Sequence, residues 1–148
     1  MAPTGMSART QPQENKSESD QGDAGGVPGT KATAGEIETR RTQLLQAMLA
    51  APDDLDIAFA YAALSARVDD HEAAIYTLER MLIYAPDLPR VQLELGVLYY
   101  RIGAFDVARQ YFEAAISGPE VPREVRERVD VYLAGIDQAQ DRPSSPPR

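Results

Sequence analysis

Residues 92–116 read QLELGVLYYRIGAFDVARQYFEAAI, and this stretch decides the fold. Its large apolar residues recur at helical spacing on both sides of a break at Gly103. Glycine readily adopts the left-handed backbone conformation that ends many helices. The stretch therefore predicts two short helices joined by a tight turn.

The same pattern occurs once earlier in the chain. Ala74 in the earlier copy aligns with Ala108, and Leu78 aligns with Phe112. Small residues at such positions let two helices approach closely, whereas the larger ones fill the gap between hairpins. The aligned residues are 34 positions apart, so the sequence repeats with a period of about 34 residues. A repeat of this length with two helices in each unit is typical of stacked helical hairpins.

Extending the pattern outward predicts an all-α fold. The predicted helices cover roughly 34–50, 53–67, 70–84, 87–101, 104–117 and 121–140. The helical domain, 36–140, divides into a half repeat 36–52, two repeats 53–86 and 87–120, and a closing helix 121–140. Segments 1–35 and 141–148 are rich in Gly, Pro and Ser and bury little apolar area, so they are predicted to be disordered tails.

Helix ends are also predicted from local chemistry. Thr33-Ala-Gly-Glu36 fits a capping box, in which the two side chains bond to each other's backbone amides. The predicted N-caps of three later helices are Asp53, Asp70 and Asp87, and the predicted left-handed glycines are Gly103 and Gly118. The charged residues of the closing helix, Arg123, Glu124, Arg126, Glu127 and Arg128, are expected to face water.

Composition excludes several classes of function. The 148 residues include 23 acids, 15 bases, one histidine and no cysteine, for a net charge of -8. Without cysteine there is no disulfide, thiolate zinc site or iron–sulfur cluster, and the acidic balance argues against binding to nucleic acid. No run approaches the roughly 20 apolar residues that span a bilayer, and the N-terminus has no signal-peptide pattern. We therefore expect no membrane insertion and a cytoplasmic location, or a periplasmic one if the N-terminus is incomplete.

Candidate catalytic groups do not form a recognisable constellation. Asp53, Asp54 and Asp56 gather at a helix start, where an acidic cap is the simple interpretation and a divalent-ion site the alternative. His71 lies beside Asp69, Asp70 and Glu72, either as a packing residue or as an acid–base group. Ser65 has no nucleophile motif around it. We expect no enzymatic activity, no metal and no cofactor.

The repeat resembles the tetratricopeptide repeat family. The second copy has Leu95, Gly96, Tyr99, Gly103, Phe105, Ala108, Phe112 and Ala115 where that family places its packing residues. The first copy departs from the pattern, with Ser65 in place of Tyr99 and Asp69 in place of Gly103.

This resemblance implies a protein or peptide partner held on the concave face that the first helices of the hairpins form. The residues expected there are Phe59, Ala63, Arg67, Leu93, Glu94, Val97, Tyr100, Arg101 and Val131. Packing against the closing helix remains an alternative for Leu93 and Tyr100, as does pairing of either arginine with Asp69, Asp70 or Glu94. A short array is also expected to favour self-association.

One comparison with the family argues against a particular partner, and a second resemblance suggests an alternative function. The variety of the family that grips an acidic chaperone tail uses lysine and asparagine where this chain has Phe59, Ala63 and Val97, which argues against that partner. Segments of 88–136, namely LPRVQLEL at 88–95, ARQYFE at 108–113 and Val121-Pro122 with the apolar positions after them, are similar to the helical N-terminal domain of surface lipoprotein assembly modifiers and related bacterial outer-membrane proteins. This second resemblance implies an alternative function: a detached or truncated domain of a membrane assembly or transport component.

Overall fold

The computed structural model describes residues 32–142. Its six α-helices are α1 (Ala34–Ala50), α2 (Leu55–Arg67), α3 (His71–Tyr84), α4 (Pro89–Arg101), α5 (Phe105–Ile116) and α6 (Arg123–Gln140). No strand occurs within 32–142, and the prediction of an all-α, six-helix fold is confirmed. The predicted tails, 1–35 and 141–148, lie mostly outside the described residues, and α1 begins inside the first of them.

Each helix packs against the next along the chain, so that α2 with α3 and α4 with α5 form antiparallel hairpins. The turn within each hairpin contains one left-handed residue, Asp69 with φ 60° and Gly103 with φ 80°. These two residues are equivalent in the repeat, so the first hairpin has the same turn without its glycine. Aspartate is among the few residues with a side chain that adopt this conformation with some frequency.

Two of the predicted helix starts are confirmed. The capping box of α1 is present, with Glu36 N donating to Thr33 Oγ1 at 3.2 Å and Thr33 N donating to Glu36 Oε2 at 3.0 Å. The side chain of Asp70 caps α3 by accepting a hydrogen bond from Ala73 N at 3.1 Å. Both caps satisfy amide groups that have no partner inside their helix.

The predicted left-handed Gly103 is also confirmed, whereas the predicted caps Asp53, Asp87 and Gly118 were wrong. Asp54, not Asp53, caps α2, because its carboxylate is the one within reach of the amides of Asp56 and Ile57, at 3.1 Å each. The residue before α4 is Leu88 rather than Asp87, since Pro89 fixes the first helical position. Gly118 was expected to be left-handed, but the residue that ends α5 is Ser117 in a right-handed conformation, and Gly103 is the one positive-φ glycine within 32–142.

The buried side chains form two clusters. The first involves α1, α2, α3 and one face of α4, with Ala74 and Leu78 at its centre. The second lies between the other face of α4 and the helices α5 and α6, and is built around Phe112. Helix α4 therefore contributes to both clusters, which explains why six of its thirteen residues are buried.

Helices α4 and α5 approach each other closely at Gly96. A Cβ atom at this position would lie 2.5 Å from Cε1 of Phe112, which is inside van der Waals contact. The Phe112 ring is completely buried and has no space into which to retreat. Gly96 is thus required by the hairpin geometry even though glycine weakens a helix interior.

Gly96→Ala is expected to lower the free energy of unfolding by about 1–3 kcal/mol, because the new methyl group displaces the Phe112 ring. Gly35→Ala is the matched control, since a Cβ there meets nothing within 4 Å and alanine favours the helix by up to about 1 kcal/mol. Urea denaturation of both variants measures the difference. A Gly96→Ala protein as stable as the parent would show that the packing described for α4 and α5 is wrong.

Candidate binding groove between α2 and α4

Two depressions lie between α2 and α4 and meet at Phe59. The smaller has a volume of about 170 Å³ and is lined by Phe59, Ala62, Ala63, Ala66, Leu78 and Glu94. The larger has about 460 Å³ and is lined by Leu55, Asp56, Phe59, Met81, Leu88, Pro89, Arg90, Val91, Glu120 and Pro122. We call this continuous, mostly apolar surface the α2–α4 groove.

The smaller depression exists because α2 lacks the large side chain that fills the corresponding space one repeat later. Tyr100 on α4 contacts the rings of Phe105 and Tyr132, with centroid distances of 5.3 and 5.2 Å, and so joins α4 to α6. Ala66 occupies the equivalent position on α2, one repeat earlier. With only a methyl group there, the space between α2 and α4 remains open.

Three of the residues predicted for the concave face line the groove. Phe59 lies where the two depressions meet, and Ala63 and Glu94 lie on opposite walls of the smaller one. The Glu94 carboxylate accepts a hydrogen bond from Arg128 Nη1 of α6 at 2.9 Å. The Glu94 carboxylate is therefore paired with α6, while the depression between Glu94 and α2 is open.

Arg67 and Arg101 are exposed at the last residues of α2 and α4. Within 32–142 neither arginine forms an ion pair. Two of the acids considered as their partners are paired elsewhere, Asp70 with Arg41 and Glu94 with Arg128. Both arginines are thus free to meet a bound molecule.

Leu93, Val97 and Tyr100, also predicted for the concave face, do not line the groove, and for Leu93 and Tyr100 the structure has the alternative, packing against the closing helix. Leu93 and Val97 are 2% and 3% exposed, and Tyr100 is half-buried against Phe105 and Tyr132. The reason is that α6 packs directly on this face of α4. Val131 is 71% exposed on α6, outside the residues that line the groove.

Besides the buried contacts, two exposed charged pairs that the sequence analysis missed join α6 to α4. Arg90 pairs with Glu124, and Arg128 pairs with Glu94. In both pairs the two residues are separated by one repeat period, and both residues on α6 are exposed, as expected. Opposite charges at the repeat period were the signal that could have predicted them.

The groove also includes residues outside the predicted set. Asp56 and Leu55 come from the first turn of α2, Leu88 precedes α4, and Glu120 and Pro122 precede α6. These positions lie at loops and helix starts, where the spacing of apolar residues gives no information about which side chains converge.

A polar cluster joins the two hairpins where α3, α4 and α5 meet. The hydroxyl groups of Tyr99 and Tyr111 both donate to Glu79 Oε1, at 2.7 and 3.2 Å. Their rings stack with a centroid distance of 5.5 Å and an angle of 7°. Partial burial, strengthened by the bond to the Glu79 carboxylate, raises the pKa of Tyr99 to about 12 and raises that of Tyr111 as well. The spacing between the hairpins, and with it the groove, depends partly on this cluster.

The remaining candidates for chemistry are the acidic residues near helix starts, His71 and Ser65. No group of three or more His, Asp or Glu side chains there could hold a metal ion. Ser65 is fully buried, and its Oγ has no hydrogen-bond partner among the described residues. No helix within 32–142 is both long enough and apolar enough to cross a bilayer.

A sequence model described as tetratricopeptide repeat matches residues 61–134, which is half of the chain. The match spans most of the first hairpin, all of the second and the greater part of α6. No curated protein matches the chain. The resemblance of 88–136 to outer-membrane assembly proteins gains no support from these comparisons.

Tyr99→Phe is expected to weaken the pH dependence of stability in alkaline solution. The unfolded chain loses the tyrosine proton near pH 10, whereas the folded protein keeps it to about pH 12. The stability linked to this raised pKa is complete below about pH 10 and is lost as the pH rises through about 12.

Urea denaturation at a series of pH values across this window measures the effect, with Tyr76→Phe as the control because Tyr76 is exposed. If Tyr99→Phe and the parent lose stability in parallel, the phenol of Tyr99 does not titrate in the way described.

Proposed function

This chain belongs to the tetratricopeptide repeat family, and we propose that it is a non-catalytic interaction module that holds a segment of a partner protein in the α2–α4 groove. The family suggests protein–protein interaction as the general role. The observation that supports this particular site is that Ala66 stands where Tyr100 stands one repeat later, which leaves the smaller, apolar depression open between two hairpins.

The size and lining of the groove suit a segment that inserts a few side chains. Depressions of several hundred cubic ångströms with mainly apolar walls are typical of binding sites. Phe59 lies at the junction of the two depressions and is partly exposed, so its ring is available to an incoming apolar side chain. Aromatic residues in such central positions commonly account for much of the binding energy.

The polar residues of the groove support recognition rather than catalysis. They are Asp56, Arg90, Glu94 and Glu120, of which Arg90 and Glu94 are engaged in ion pairs with α6. The groove lining contains no histidine, serine or threonine that could act as a nucleophile or a general base together with these acids. A binding role uses the apolar surface around Phe59 and the unpaired carboxylates of Asp56 and Glu120.

Ala63→Tyr is expected to weaken binding of a groove ligand at least about tenfold, because the new ring occupies the smaller depression and costs the ligand its apolar contacts. Ala134→Tyr is the matched control, since Ala134 is an exposed alanine on α6 outside the groove and the helix-propensity cost is the same. The ligands are peptides selected on the parent protein from a displayed random library, with affinity measured by fluorescence polarisation and folding checked by thermal melting.

Loss of affinity in Ala63→Tyr, with the control and the melting temperatures unchanged, supports the α2–α4 groove as the binding site. Selected peptides that bind Ala63→Tyr as tightly as they bind the parent would exclude it, and failure to select any binder would count against the proposed function as a whole.

A further inference from the structure

The charges along the α2–α4 groove are unevenly distributed along the helix axes. Asp56 and Glu120 line the larger depression, at the end where α2, α4 and α6 begin. Neither carboxylate forms an ion pair within the described residues. Arg90, the one base lining this depression, is paired with Glu124. This end of the groove therefore presents a net negative charge.

The opposite ends of α2 and α4, just beyond the residues that line the two depressions, have two unpaired arginines against one unpaired acid, Asp69, and so a net positive charge. Arg67 follows Ala63 by four residues on α2, and Arg101 follows Glu94 by seven on α4, so each arginine continues the groove-facing stripe of its helix. Both side chains are exposed, and within 32–142 both are without an ion-pair partner. They are equivalent residues of successive repeats.

The helix dipoles oppose this distribution without cancelling it. A helix end has the equivalent of roughly half a unit charge, positive at the start and negative at the finish. Each acidic or basic side chain has a full unit charge on a group that reaches beyond the backbone. The side chains therefore determine the sign of the potential that a ligand meets at each end of the groove.

We propose that the α2–α4 groove selects its partner by charge order: it binds an extended segment with a basic side chain at the Asp56 and Glu120 end, apolar residues over Phe59 and the alanines, and a carboxylate at the Arg67 and Arg101 end. This inference rests on the proposed function of the groove. An extended segment fits better than a helix, because the depression beside Ala63 holds only about 170 Å³ and a helix with its side chains is about 10–12 Å across.

The spacing of the two charges follows from the length of α2. Arg67 is the eleventh residue after Asp56 on α2, which corresponds to an axial distance of about 17 Å. An extended chain covers this distance in about five residues. The partner's basic and acidic groups are therefore expected about five residues apart, with apolar side chains between them.

The experiment uses the peptides selected on the parent protein and two double variants. Arg67→Glu with Arg101→Glu reverses the positive end of the groove, and Arg126→Glu with Arg142→Glu makes the same change in net charge at exposed arginines outside the groove. The selected peptides are expected to contain a base and an acid at the predicted spacing. The groove variant should bind them about three- to tenfold more weakly, since two surface charge contacts become repulsive.

Replacing the peptide's acidic residue by lysine should restore affinity for the groove variant, and the difference should shrink as salt screens exposed charges. Equal weakening by the control variant, or selected peptides with no charge order, would overturn this inference. If those same peptides still bound Ala63→Tyr more weakly than the parent, the proposed function would stand without the inferred charge order. Peptides that bound Ala63→Tyr as tightly as the parent would instead exclude both the α2–α4 groove as the binding site and the inferred charge order.

Discussion

The contact between Gly96 and the ring of Phe112 fixes the arrangement on which the rest of the structure depends. Because residue 96 has no side chain, α5 can bring Phe112 directly against the backbone of α4. The same ring stacks on Tyr132 of α6, with a centroid distance of 5.2 Å and an angle of 17°. One buried aromatic side chain thus positions three helices, and any displacement of it would move α6 as well as α5.

The smaller depression of the groove is open because this aromatic contact is not repeated at α2. Tyr132, held by Phe112, meets Tyr100 edge-on and seals α6 onto α4. At the boundary one repeat earlier, Ala66 replaces Tyr100, and the helices are joined on the other side by Glu79, Tyr99 and Tyr111. The boundary between α4 and α6 is therefore closed by aromatic rings. The boundary between α2 and α4 is open, and the two hairpins are joined there by the polar cluster of Glu79, Tyr99 and Tyr111.

The helices could be predicted from the sequence because packing between hairpins imposes a period that the residue pattern repeats. Even the replacement of Gly103 by Asp69 in the first hairpin preserved the turn, as both residues are left-handed. The concave face was harder to predict. The period places Leu93, Val97 and Tyr100 on the first-helix face of their hairpin, but whether that face is open depends on the next helix, and α6 covers it.

Residues at the ends of helices were the least predictable part of the groove. Asp56, Leu88 and Glu120 come together because three helix starts lie at the same side, which no local pattern encodes. The ion pairs Arg90–Glu124 and Glu94–Arg128 had a detectable signal in their common spacing, yet charged residues on a terminal helix are normally assigned to solvent.

The division of the interior into two clusters has a thermodynamic consequence for any molecule that occupies the groove. In repeat proteins each unit is stabilised mainly by its immediate neighbours, so the two ends of a short stack can open separately. The groove joins walls from the first cluster, through Met81 and Val91, to residues that lead into α6, through Glu120 and Pro122. A ligand bound there contacts both halves and binds only while both are folded. Its binding then raises the free energy needed to open either end of the stack, which couples the opening of one end to that of the other.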